Sequence, residues 1–373
     1  MKIICSQKEL TKSIAISMRA VSSKSSDHFL ESIVIDTREG KIKLVSNNME
    51  LGIETYVNGQ VIDDASFSNL VAINANLFYN IIKSLPDTDI TIEYSNGSTA
   101  IISYGNNLKF EVLAVSAEEY PFFDKINNSA SIKVSQLAFK NSIIKTSFAA
   151  LKTANGDMMT GVSVKVNGNL LRMAALNGHR IAIRNMQLNE NSNNMSMIIP
   201  SKSLDELSVI LSNETDKWLN ISMNDKNVMF EMDDTVVLSR LIDGEYFKVE
   251  QMLSNDYETK MIIDRSSFIS CIQRAKLVIT ESEKKPVVLN IKDSVIEIKM
   301  RGGKGNFDEN VDIEKTGRDI MIGFNPDYML SACNAIDDEK ITAYFINSKA
   351  PCFIKDADEK YIYLILPINI TAE

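Results

Sequence analysis

The chain has 373 residues, 45% hydrophobic and 24% charged, with a formal net charge of −9. This is ordinary globular material, enough for two or three domains of ~100–200 residues, and it excludes wholesale disorder. The first twenty residues carry charge throughout, and no stretch approaches the ~18 apolar residues of a membrane span, so a cytoplasmic protein with no membrane association is expected.

Residues 2–21 read as a short strand, a polar break and a helix whose Leu10, Ile14, Met18 and Val21 share one face. Alternating strands follow over 28–48, with a turn at Glu39-Gly40. A second strand-to-helix stretch, 70–86, has Asn74 as its capping residue, and the alternating strand ITIEYSNG comes next. After the polar KINNSAS the order restarts. The helix within 132–151 is expected to bury Leu137, Ile144, Phe148 and Leu151, and 161–178 to form strands turned at Asn-Gly pairs. Ser201 caps the helix of 197–213, ahead of LNISMNDK. After LSNDYET the order runs a third time, with Phe268, Cys271, Ile272 and Ala275 on one helix face, Asn325 as the second cap, and ITAYFINS.

Three copies of one pattern in the same order predict an α+β fold of three repeated domains, each with two helices on antiparallel sheets. The expected boundaries are 1–126, 127–253 and 254–373, placed in the two polar linkers. Cys5, Cys271, Cys333 and Cys352 are scattered, form no CxxC pair, and read as reduced thiols.

The first helix of each copy is basic. Windows 7–24, 137–152 and 264–276 together hold ten Lys or Arg and two acidic residues, within a chain that is acidic as a whole. Such stretches are ordinarily solvated faces, but recurrence at equivalent positions points to a shared surface for phosphates on a protein whose remainder repels them. Three compact domains of ~35 Å diameter in a ring leave a hole of only ~5 Å, whereas six leave one about a domain wide. A duplex is ~20 Å across, so encirclement would need two chains.

LNGHRIAI, residues 176–183, holds one of only two histidines. A catalytic or metal-binding His179 would need a nucleophile, an orienting carboxylate or a ligand cluster, and the sequence has no HExxH, GxSxG, Walker loop or Cys/His spacing. GGKG at 302–305 reads as a turn. No catalytic residue, no metal and no cofactor is expected, and His179 reads as structural or as part of a binding surface.

Four motifs in order (LNGHRIAI, LIDGEYF, IGFNPDYML and a terminal strand with LPIN), together with the triplication, resemble the bacterial DNA polymerase III β subunit family of sliding clamps. The resemblance covers the whole chain. It implies half of a six-domain ring: a non-catalytic processivity factor, homodimeric around duplex DNA without sequence preference. Its implied partners are the DNA polymerase III α subunit, a clamp loader, and other replication and repair proteins carrying short clamp-binding peptides. The family's peptide pocket, between the second and third domains, maps onto Met159, Leu176, Gly178, His179, Arg180, Ile181, Phe247, Asn325, Tyr328, Leu364, Leu366, Pro367 and Ile368. Lys12, Arg19, Lys24, Lys145, Lys152 and Arg274 are the implied DNA contacts, and Leu277 and Val278 the implied dimer interface. The sequence departs from the family pattern at Leu176, Asn177, Phe247, Gln251 and Asn369. Two other readings remain open: a non-encircling DNA-binding protein, and a peptide-binding adaptor.

Overall fold

The computed structural model describes residues 1–62, 68–95, 97–105, 108–126, 130–153, 157–280 and 282–370. The linker at 127–129 and the last three residues, 371–373, lie outside the described residues. Among the described residues there are six α-helices: α1 Gln7–Ser17, α2 Ala75–Ser84, α3 Gln136–Ile144, α4 Ser201–Ile210, α5 Arg265–Ala275 and α6 Pro326–Asn334. None is long and apolar enough to cross a membrane.

The helices start where strand residues give way to good caps. Asn74 accepts the Leu77 N–H at 3.1 Å, Asp264 that of Ser267 at 2.8 Å, and Asn325 that of Asp327 at 2.8 Å. Ser201 is instead the first helical residue of α4. In α1, Leu10 and Ile14 are fully buried, and in α5 Phe268, Cys271, Ile272 and Ala275 are, as the spacing predicts. The second copy differs. Ile144 is 51% exposed, and α3 buries Gln136, Phe139 and Ile143. Apolar residues stand on both sides of this helix, so the spacing admits two faces, and tertiary packing selects the one through Phe139.

The chain forms two compact units, Met1–Leu137 with Glu206–Leu241, and Ala138–Asp205 with Ile242–Glu373. Each is organised on one antiparallel sheet, of 13 strands in the first and 10 in the second among the described residues. The central copy is therefore divided between the units. In the first unit, Thr235–Arg240 pairs with Leu51–Val57, joining the central copy to the N-terminal one. Tyr361–Ile365 pairs with Arg180–Arg184 in the second unit, joining the C-terminal copy to the central one. Both seams are five-pair antiparallel ladders between a strand of one copy and the last strand of the next.

The core of the first unit gathers Leu10 and Ile14 of α1 and Phe78, Ile81 and Ile82 of α2 onto Ile3, Ile35, Leu44, Ile73, Ile92 and Ile102 of the sheet. Each such side chain contributes about 1.5–3 kcal/mol of transfer free energy. The expected turn at Asn167-Gly168 is not one. Gly161–Leu176 is a single long strand, with the ladder irregular around Gly168 (φ +61°). The four cysteines are buried free thiols, and burial raises Cys5, Cys271 and Cys333 to about 12, well away from nucleophilic thiolate.

Candidate peptide-binding site and basic helices

All thirteen residues of the expected peptide site lie within the second unit. One strand ends at Leu176 and the next opens at Arg180, and between them stand only Asn177, Gly178 and His179. Gly178 has φ +81°, a conformation that carries no steric cost for glycine, and the Asn177 side-chain oxygen accepts both the His179 and Arg180 N–H groups at 3.2 Å. This turn delivers the two basic side chains side by side. The His179 ring stacks on Tyr328 with 6.3 Å between centroids. The Arg180 guanidinium lies 4.5 Å from the Tyr328 ring centre and 5.2 Å from that of Phe148, and its Nη2 donates to the Phe148 carbonyl. Burial holds the Arg180 pKa below the usual arginine value, with Tyr328 and Asp327 acting in the opposite direction. Among the described residues its buried Nε has no hydrogen-bond partner.

Beside this stack is an apolar wall. Leu176, Ile181 and Leu364 are buried in one cluster, and Met159 and Phe247 pack on it while partly exposed. Met159 belongs to a short 3-10 turn, Met158–Thr160, rather than to the adjoining strand; Asp157 caps it by accepting the Met159 N–H at 2.8 Å. Phe247 meets Tyr246 edge-on at 5.7 Å, and the Tyr246 hydroxyl donates to the Gly161 carbonyl. The segment after the last strand closes the group. Leu366 N–H donates to the His179 carbonyl at 2.9 Å and Ile368 N–H to that of Gly323 at 2.8 Å, with Pro367 between them. Asn325 has its side-chain oxygen engaged as the α6 cap. The arrangement offers apolar surface from Met159, Phe247 and Leu366 next to an aromatic and cationic rim, which suits an extended apolar peptide. Phe148 and Tyr246 are parts of this site that the sequence alone did not mark. The only local signal, an aromatic beside a helix end or a turn, is not distinctive.

The basic residues divide. Among the described residues, Lys12 and Lys24 are exposed and have no carboxylate within ion-pair distance. Arg19 pairs with Glu206 at 3.4 Å, Lys152 with Asp205 at 3.0 Å, and Arg274 with both oxygens of Glu309. Lys145 departs from expectation. It is buried and ion-paired with Asp337, so its ammonium is not presented to solvent. A partner 192 positions away in sequence takes up a lysine that the basic window suggested as part of a solvated face.

Leu277 is 73% exposed in a 3-10 turn, Lys276–Val278, that continues α5. The GGKG stretch is the neighbouring hairpin turn. Glu283 accepts the N–H groups of Thr280 and Gly303, and Lys304 N–H donates to the Val278 carbonyl at 3.0 Å. A Cβ on Gly302 would overlap that same carbonyl oxygen.

Three family models of the DNA polymerase III β subunit match this chain: the N-terminal domain over residues 1–124, the central domain over 133–248 and the C-terminal domain over 250–369. The beta sliding clamp of Staphylococcus aureus is 30% identical over 360 residues, covering 94% of this chain and 95% of that protein. A crystal structure of a DNA polymerase III β subunit from Eubacterium rectale has 39% identity and a TM-score of 0.95, covering all of both chains. The DNA polymerase sliding clamp of Bacillus subtilis, with 27% identity and a TM-score of 0.92, also covers both chains in full. Matched in all three domains and along nearly its whole length, the chain belongs to the DNA polymerase III β subunit family, the beta sliding clamps.

Proposed function

We propose that two copies of this chain close head to tail into a ring around duplex DNA, and that the ring acts as a non-catalytic processivity factor. The observation that carries this reading is a pair of leftover edges. The two internal seams each join a strand of one copy to the last strand of the next. The remaining strands of that kind are Gly305–Asp312 of the third copy and Leu108–Leu113 of the first. Among the described residues each is paired on one side only, to Val295–Gly302 and to Thr99–Tyr104 respectively. An exposed edge is a template for another strand, and a second copy supplies the matching one. Leu277 and Val278 stand beside the first of these edges, and Leu113, 77% exposed, lies on the other.

In this reading the domains are 1–126, 127–253 and 254–373. Lys12 and Lys24 meet phosphates directly, while Arg19, Lys152 and Arg274 meet them from within ion pairs. Contacts to phosphate carry no sequence information and permit sliding. The site around Arg180 and Phe247 receives a short peptide from the DNA polymerase III α subunit, the clamp loader and other replication and repair proteins, in the cytoplasm. Sedimentation should give a species of twice the 41.7 kDa chain mass. Once loaded, it should stay on closed circular DNA at moderate salt and leave the same DNA within seconds of linearisation. Equal retention on both would refute the ring, and a steep fall of retention on circles with salt would favour a directly docked DNA-binding protein.

A further inference from the structure

Each internal seam carries, besides its strand ladder, an ion pair between helical segments, and both pairs have the same polarity. In the first unit the cation is Arg19, just past α1 of the N-terminal copy, and the acid is Glu206 of α4, second helix of the central copy. In the second unit the cation is Lys145, just past α3 of the central copy, and the acid is Asp337, just past α6 of the C-terminal copy. In both seams the cation comes from the exit of a first helix, and the acid from the second helix, or the turn just past it, of the copy whose last strand completes the seam.

The same rule applied to the unpaired edges names two residues. Lys145 directly follows the last residue of α3, and Lys276 directly follows that of α5. Asp337 lies three residues past the end of α6, and Asp87 lies three residues past the end of α2. Asp87 is exposed, and among the described residues it has no cation within ion-pair distance. Lys276 adjoins the exposed Leu277, and its present partner is Asp327, whose side chain is 64% exposed and stays hydrated when released. We propose that Lys276 of one copy pairs with Asp87 of its partner, so that the seam between chains is latched as the two seams within the chain are. This rests on the dimer reading above and adds to it the residues that set polarity. Only a head-to-tail arrangement brings the basic helix exit of a third copy to the acidic helix exit of a first copy, whereas pairing of like edges would set like charges together.

The test is a double-charge swap on the full chain, read as the dimer dissociation constant by sedimentation velocity at low salt. Lys276→Glu and Asp87→Lys should each weaken the dimer about ten-fold, because reversal replaces an attraction by a repulsion of similar size. The double variant should return to within about three-fold of the unmodified chain, as expected for directly coupled residues. Should either reversal fold poorly, Lys276→Gln and Asp87→Asn, which only remove charge, should each give about a three-fold loss. Dimers unaffected by the single changes, or a double variant no tighter than the product of the two losses, would overturn the pair while leaving the ring intact. An unmodified chain that stays monomeric at every concentration would overturn the dimer itself.

Discussion

Replacing Arg180 by Ala should loosen the turn that holds the candidate peptide site. The guanidinium lies against two rings, at 4.5 and 5.2 Å, and donates to the Phe148 carbonyl. Each ring contact contributes about 1 kcal/mol in a partly dry setting, and the charged hydrogen bond about 1.5 kcal/mol. Against this, the buried Nε without a partner costs about 1 kcal/mol. The balance is about 2–3 kcal/mol in favour of the closed turn. A protein of two units will not unfold as one transition, so the readout should be local. The Leu366 N–H, bonded to the His179 carbonyl at 2.9 Å, reports opening of this turn. Its hydrogen-exchange rate should rise about 30- to 150-fold in Arg180→Ala. Arg180→Lys should recover only part of that, because an ammonium cannot lie flat between two rings. An exchange rate within about three-fold of the unmodified protein would show that the stack does not hold the turn, and the energetic reading of Arg180 would be wrong.

Further outcomes follow from other contacts. Lys145→Met should cost only about 1 kcal/mol in chemical unfolding, because Asp337 is 74% exposed and is left in water rather than stranded, and retention on circular DNA should not change. Lys12→Glu and Lys24→Glu, at exposed sites, should weaken binding to linear duplex at low salt without changing stability, and should leave retention of the loaded ring on closed circles intact. Asp264, held at about 2 by the Ser267 and Ser266 side chains and the Ser267 N–H, has a folded pKa below its ordinary 3.8. Its stabilisation is therefore complete above about pH 4 and is lost as pH falls toward 2. Asp264→Ala should flatten the acid limb of the α5 melting profile measured by exchange. Gly302→Ala should push the Val278 carbonyl away and cost about 1–3 kcal/mol as an overpacked contact, seen as a raised monomer fraction in sedimentation.

Local chemistry made much of the architecture readable. Asn74, Asp264 and Asn325 stand where helices begin, and the faces of α1 and α5 follow from spacing alone. The peptide-site residues were legible only through the family resemblance; Leu176, Ile181 and Leu364, with Met159 and Phe247 against them, share one cluster. What could not be read depends on distant partners. Nothing near Lys145 signals Asp337, and nothing in 136–144 says whether Phe139 or Ile144 faces inward. The division of the central copy between two units is likewise invisible, because the strands that claim its two halves lie in the other copies.

That division has a consequence for synthesis. The ladder of the first unit is complete once residue 240 has emerged, but Arg180–Arg184 waits for Tyr361–Ile365. At ~5–20 residues per second the ribosome takes roughly ten to forty seconds to cover that interval. Throughout it the nascent chain carries a naked sheet margin, the kind of surface that chaperones shield and that otherwise seeds clumping.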